Sequence, residues 1–500
     1  MNRLYYGDCL TIMRDEMKAG SVDLIYLDPP FNSNREYNAI YKDETGRPLP
    51  DQVEAFCDTW ELDAERERAI RQMPVMMREV GIEDEIAEFW RLWMNALRQT
   101  QPALLAYLSY MAQRLLPMRV LLKPTGSVFL HCDPTASHYI KALMDAIFGH
   151  RNFRNEIIWS YRRWPSKSRK FQTMHDVILY YAASEKGTFN VAYEPVSESY
   201  MKRFKGKTQV LDPDRPTRKL VVDKPTKGMP QRDVWELSIL AGSSRERMGY
   251  ATQKPLKLLE RIIEASTNEG DVVFDPFCGC ATTLEAAHKL KRKWIGIDIA
   301  IHAIKRVAKV RLEERLRLAE GTDFVIEGVP RNLEGAQDLW QRDKYHFQKW
   351  AVEQVDGFVT TKRTADGGID GRLYFSVFGE ADLQSMVLEV KGGANVTIAD
   401  LRALHSVLER EEALMAGLIT MQTITGRKRT NFMRLIAEAG DLELQGKLYP
   451  KVQILSVPEI LEGWRFNTPG AVGRTGTQPA LPLAPESQSE LPLIGGHATE

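Results

Sequence analysis

Five hundred residues exceed what a single hydrophobic core supports, and 43% hydrophobic residues can fill two or more folded domains. Lys and Arg number 67 and Asp and Glu also 67, so no global surplus draws the chain to a polyanion, and nucleic acid must be met by local charge. Five scattered cysteines (Cys9, Cys57, Cys132, Cys278, Cys280) argue against a disulfide framework, and Cys278 and Cys280, one residue apart, read as packing residues rather than a zinc knuckle.

In chain order, Met1 to Asp8 lacks a basic segment followed by an apolar one, and nowhere do 18 uncharged apolar residues run together, so the expectation is a cytoplasmic protein. The run Val22 to Leu27 reads as a buried strand stopping at Asp28-Pro29-Pro30-Phe31. Residues 60 to 122, rich in Glu, Arg, Leu and Met, predict helices. Strands follow at Ser127 to Cys132 and Val177 to Tyr181. Residues 151 to 235 hold 18 Lys and Arg against 9 Asp and Glu, a net +9, with Trp159, Tyr161, Trp164 and Phe171 interleaved, which suits a surface facing DNA. Two more strands, Val272 to Phe274 and Trp294 to Ile297, bracket a helix beginning near Thr282. A helix over Ile301 to Leu318, with Ile304, Val307, Ala308 and Leu312 at helical spacing, closes a first domain of residues 1 to 320. Residues 321 to 345 lack a sustained period and predict a linker, a second α/β domain follows over 346 to 466, and residues 467 to 500 have the composition of a disordered tail.

Ligands in open α/β sheets sit beyond the carboxyl ends of the strands, which is where both polar motifs fall. In Asp275-Pro276-Phe277-Cys278-Gly279-Cys280-Ala281 a strand meets a turn of small residues, which lets a ligand approach the backbone. The next strand ends in Asp298, 23 positions on (298 minus 275), near the offset at which a carboxylate binds ribose hydroxyls. A nucleoside cofactor follows; a dinucleotide stays open, although no full Gly-x-Gly-x-x-Gly is present. At the earlier motif, Asp28 and the Pro29 carbonyl offer two acceptors and Phe31 a ring. These suit an exocyclic base amine, whose delocalised lone pair is freed when its hydrogens are held. Such a base must be flipped from a duplex.

With these residues in place, the chain resembles the β-class amino DNA methyltransferases over roughly residues 1 to 320, with the catalytic motif first and the cofactor motif last. The resemblance implies a Rossmann-like sheet with permuted motif order, S-adenosylmethionine as cofactor, and double-stranded DNA as partner. It places Asp28, Pro29, Pro30 and Phe31 in the catalytic motif, and Thr252, Gln253, Lys254 and Pro255 in the motif before the cofactor turn. Asp275, Phe277 and Gly279 match the cofactor turn, Asp298 the ribose acid, and Asp8 the acid near adenine, while Ala281 stands where the family usually has glycine. Asp at position 28 favours adenine N6 over cytosine N4, and the target-recognition region corresponds to about 151 to 250. A homodimer stays open.

In the second domain, Asp370 precedes a strand, and Glu389 and Lys391 lie on one face of another, 19 positions on (389 minus 370). Asp370 and Glu389 are candidate ligands for Mg2+, Lys391 a residue to orient water, and Glu353 an additional acid. With Val396 to Leu404 following, this segment resembles the PD-(D/E)XK restriction-endonuclease-like superfamily, which implies a smaller α/β domain and phosphodiester hydrolysis. Two other readings stay open: a nuclease whose N-terminal half only senses cofactor and DNA, and a binding protein without either activity.

Overall fold

The protein is described from a computed structural model, which covers residues 1–30, 37–39, 53–56, 60–164, 169, 171–213, 215, 217–241, 244–248, 253–301, 303–360, 369–375, 377, 384–393, 395–411, 413–444, 446–469 and 474–475. It divides into two compact units, Met1–Val329 and Pro330–Glu500.

Nine strands build the sheet of the first unit: β1 (Asn2–Tyr6), β2 (Val22–Leu27), β3 (Leu122–Cys132), β4 (Phe153–Ser160), β5 (His175–Ala182), β6 (Val234–Glu236), β7 (Val272–Asp275), β8 (Lys293–Asp298) and β9 (Phe324–Glu327). Their spatial order is β6-β4-β5-β3-β2-β7-β8-β1-β9. Only β5 runs against its neighbours; the pairs from β3 across to β9 are all parallel. Every residue of β2 is buried, as a parallel strand covered on both faces requires. The decisive pairing is β2 with β7, in the register Leu24 to Val273 and Ile25 to Phe274, which sets the two motif-bearing strand ends side by side.

Helices Ala64–Glu79, Asp84–Thr100 and Pro102–Leu121 fill the stretch where helices are expected, and pack with Ser137–Phe148 into one apolar cluster against the sheet. Pro102–Leu121 is apolar all round and correspondingly buried. Helix Leu256–Ser266 instead buries one stripe, Leu258, Leu259, Ile262 and Ile263. The expected helix over 301 to 318 is wound as two π-helical stretches, Ala303–Ala308 and Arg311–Arg315, with Ile304, Ala308 and Leu312 buried. It does not end the unit, because the chain returns to add β9 beside β1.

The stretch 321 to 345, expected as a linker, carries β9 at one end and helix Leu333–Arg342 at the other, so the change of unit falls between Val329 and Pro330. Short elements with few apolar residues leave no sustained period to read.

The second unit has β10 (Phe358–Val359), β11 (Gly371–Phe375), β12 (Gln384–Lys391), β13 (Met415–Thr420) and β14 (Val452–Ser456), paired in that order. The first two pairings are antiparallel and the last two parallel. Helices Ile398–Arg410 and Gly426–Ala439 cover β13 through Leu401, Leu404, Phe432 and Ile436. The segment expected as a tail lies almost wholly outside the described residues. Among the described residues, no helix is long and apolar enough to cross a membrane.

Gly296 in β8 shows how tightly the turn after β7 is packed: a Cβ there would lie 2.6 Å from Leu284 Cδ1 and 3.2 Å from Cys278 Sγ. Gly296→Ala is therefore expected to lower stability by about 1–3 kcal/mol through overpacking. A urea midpoint equal to that of the parent protein would contradict this packing.

Candidate active site

Beyond β2 the chain runs into Asp28-Pro29-Pro30, where two prolines cannot donate to a ladder and the strand ends. The Asp28 carboxylate does not stand alone. Lys254 Nζ lies 2.7 Å from its Oδ1 and 2.5 Å from its Oδ2, with only 11% of the lysine and 17% of the aspartate side chain exposed. Phe31 and Thr252 lie outside the described residues.

The segment carrying Lys254 is fixed by its neighbours. Gln253 accepts from the Met248 N–H and donates to the Glu246 carbonyl, both at 2.8 Å. The Glu246 carboxylate accepts from Leu256 N–H at 2.6 Å, at the start of helix Leu256–Ser266. Gln253 thus braces a loop, and buried Pro255 supplies the extended residue before the helix.

Next to β2, β7 ends at Asp275, whose Oδ1 accepts from Phe277 N–H at 3.0 Å. Burial pushes this carboxyl up to about 7, and the nearby Asp28 and Asp298 charges push the same way against the Thr283 and Phe277 hydrogen bonds. The turn that follows places Gly279 at φ +48° and Ala281 at φ +60°. A left-handed alanine costs about 1 kcal/mol more than glycine would. This is the position where glycine was expected. Asp298, at the end of β8, receives the Gly279 and Ala300 N–H groups at 2.8 Å each, so it ties the turn to the sheet. Gly7 N–H reaches the Asp298 carbonyl at 2.9 Å, which brings Asp8 to the same edge. Asp8 caps helix Cys9–Glu16 through Leu10 N–H at 2.8 Å, and its other oxygen pairs with Arg114 at 2.6 Å. Arg114 lies over the Tyr110 ring at 3.5 Å.

The structure thus brings Asp8, Asp28, Lys254, Asp275, Phe277, Gly279 and Asp298 to the carboxyl edge of one sheet. Sequence reasoning misses the Asp28 to Lys254 bond, Arg114, and a hydrogen-bonded chain of Tyr26, His131, Asp176 and Tyr161, all buried but for Asp176, which is partly exposed. None has a local signal; only the strand order brings them together.

Two aromatics of the basic stretch depart from the expected DNA-facing surface. Trp159 and Tyr161 are buried, Trp159 bonding the Leu237 carbonyl and packing on His131, so they serve the sheet and not a DNA-facing surface. Trp164 and Phe171 are 95% and 100% exposed, as a contact surface requires.

In the second unit, Asp370 Oδ2 accepts from Val390 N–H at 2.6 Å, and Lys391 Nζ lies 2.7 Å from Glu389 Oε1 and 3.5 Å from Asp400 Oδ1. Glu389 is 5% exposed, and its Oε2 has no hydrogen-bond partner among the described residues. Burial raises the pKa of both Asp370 and Glu389. Glu353 lies on helix Lys344–Gln354. Among the described residues, no group of three or more His, Cys, Asp or Glu side chains is placed to hold a metal ion.

Asp275 provides a test by pH. An unfolded aspartate titrates near 4, so between about 4 and 7 the folded state binds more protons and stability falls as pH rises through that window. Asp275→Asn keeps an acceptor for Phe277 and removes the titration. Urea denaturation should show the parent protein losing, relative to this variant, on the order of a few kcal/mol from pH 4.5 to 7.5. A difference that is flat with pH would contradict the burial of this carboxyl.

Comparison with known proteins matches residues 22–309 to the N6_N4_Mtase family model, described as DNA methylase. The chain is 30% identical over 259 residues to the type II methyltransferase M.EcaI of Enterobacter cloacae, covering 41% of this chain and 57% of that protein. It is 30% identical over 213 residues to M.HpaI of Haemophilus parainfluenzae, covering 42% of this chain and 61% of that one. It therefore spans about three fifths of the length of these curated relatives. The solved PvuII DNA methyltransferase (cytosine-N4-specific) superposes with a TM-score of 0.36 at 14% identity, over 64% of this chain and 88% of that chain. With more than half of its length matched by the family model, the chain belongs to the DNA methylase family.

Proposed function

We propose that the chain transfers a methyl group from S-adenosylmethionine to the N6 amino group of an adenine flipped out of double-stranded DNA. The observation that carries this reading is the pairing of β2 with β7, because methyl transfer needs the base edge and the cofactor edge within one pocket. The type II methyltransferases among the relatives support the methyl-transfer part of this reading, and Asp at position 28 the choice of adenine.

The residues present fit the cofactor. Buried Gly279 and Ala281, both at positive φ, make a close-turning backbone that a nucleoside can approach, and the Asp298 carboxylate at the end of β8 is an acceptor suited to hydroxyls. S-adenosylmethionine supplies an electrophilic sulfonium methyl when bound. Asp28 and the Pro29 carbonyl accept hydrogen bonds from the base amine and free its lone pair. Asp28 is then the nearest base for the proton that the amine loses. Asp275, Gly279 and Asp298 shape the cofactor side, and Asp8, held by Arg114, extends it. The basic stretch supplies charge for phosphates, with Trp164 and Phe171 exposed on it.

Labelled S-adenosylmethionine and duplex DNA test this directly. Label should appear on adenine, and Asp28→Ala should lower transfer roughly 100- to 1,000-fold while the protein remains folded by circular dichroism at the assay temperature. Label on cytosine would transfer the assignment to N4. No label on either base would remove the methyl-transfer reading.

A second activity is favoured by the buried, unpartnered Glu389 Oε2 beside Lys391. Asp370 and Glu389 would hold a divalent cation, with water completing its shell, and Lys391 would orient the attacking water on a phosphodiester. Magnesium-dependent cleavage of DNA should then occur, and Asp370→Ala or Lys391→Ala should each abolish it without touching methyl transfer. Cleavage unchanged in both variants would exclude this site.

A further inference from the structure

Beside β2 lies a run of largely buried polar side chains that methyl transfer, as described above, leaves unused. Tyr26 Oη is 3.0 Å from His131 Nδ1, and His131 Nε2 is 3.2 Å from Asp176 Oδ2. Tyr161 donates to Asp176 Oδ1 at 2.9 Å. Tyr26 and His131 are 1% and 0% exposed, and Trp159 packs edge-on to the imidazole at 5.5 Å. One assignment of hydrogens suits all four residues: Tyr26 donates to Nδ1, Nε2–H donates to Asp176, and Tyr161 donates to the second carboxylate oxygen. Asp176 is then an anion held rigidly by two donors.

The topology places this anion at the catalytic edge. β3 lies between β2 and β5, with Leu27 paired to Leu130 and Cys132 to Val177, so the start of β5 and the end of β2 face the same side of the sheet. Burial acts to raise the Asp176 pKa, but the hydrogen bond from His131, the Lys254 charge and the Tyr161 bond together hold it below the usual carboxylate range. The Lys254 ammonium bonds both oxygens of Asp28, and its charge also favours ionised Asp176 at the same edge of the sheet.

That bond works against the role given to Asp28. An ammonium on both oxygens leaves lone pairs free but draws on the charge that a substrate amine and its departing proton would need, and a mostly buried ammonium leaves an anion at high cost unless another receives it. Building on the methyl-transfer reading of Asp28, we propose that Lys254 passes from Asp28 to Asp176 when the target amine enters. Tyr26, His131 and Tyr161 act as positioning residues that hold Asp176 ready for this exchange.

Two experiments on the full chain decide it. In a crystal structure of Asp28→Asn, Lys254 Nζ should lie within hydrogen-bond distance of Asp176; an ammonium found against any other group would overturn the exchange, whether or not the protein methylates DNA. In a double-mutant cycle, Asp176→Asn should lower kcat about tenfold while KM for cofactor and for DNA stays within about twofold. In a Lys254→Met background, with no ammonium to move, the same substitution should change kcat less than about twofold. An equal loss in both backgrounds would make Asp176 a structural residue only. Tyr161→Phe, which removes one donor and keeps the ring, serves if Asp176→Asn does not fold; its loss should be smaller and should also vanish with Lys254→Met. Absence of methyl transfer by the parent protein would defeat the methyl-transfer reading and leave the Asp28→Asn structure to decide the exchange.

Discussion

The hydrogen-bonded pairing of β2 with β7 is the constraint on which the rest of the first unit depends. Leu24 and Ile25 come from the start of the chain and Val273 and Phe274 from beyond its midpoint, yet they share one register. Because the pair is parallel, both strands deliver their carboxyl ends to the same edge, and the polar residues after each must meet there. A slip of one residue would turn the buried β2 side chains onto opposite faces, so burial on both sides holds the register firmly.

Charge at that edge follows from the same packing. Of three neighbouring strands, β2 is followed by Asp28 while β7 and β8 end in Asp275 and Asp298, and each carboxyl is handled differently. Asp28 takes a lysine, Asp298 takes two backbone N–H groups, and Asp275, lacking a cation of its own among its hydrogen-bond partners, keeps its proton to about 7. Carboxylates whose environments push them apart in this way are a mark of functional edges. The Arg114 to Asp8 pair extends the pattern to β1, where a buried guanidinium and a helix N-terminus share one carboxylate.

Much of this was legible in the sequence, and what was not shares a physical cause. Val22 to Leu27 and Trp294 to Ile297 announce themselves because strands buried on both faces leave no polar residue to alternate. Asp28-Pro29-Pro30 and Phe277 to Ala281 are marked by turn chemistry at strand ends. The motif around Lys254 points to the cofactor side; its bond to Asp28, 226 positions away, can be read only once strand order is known. The same holds for Tyr26 with His131, 105 positions apart. The basic residues around Trp159 and Tyr161 suggest a surface, although alternation along β4 buries Trp159 and a bond to Asp176 holds Tyr161. The left-handed turn at Ala281 is invisible locally, since alanine carries no signal for positive φ.

The second unit repeats the lesson on a smaller scale: alternation along β12 places Glu389 and Lys391 on one face, and β11 brings Asp370 to the backbone between them. The central claim, that two remote strand ends form one methyl-transfer pocket, is tested most directly by a crystal structure of the first unit's edge with bound S-adenosylmethionine. The account predicts the sulfonium between the turn at 277–281 and the Asp28 carboxylate, with its methyl facing Asp28. A cofactor seated elsewhere on the protein, or at the turn with its methyl directed away from Asp28, would contradict it.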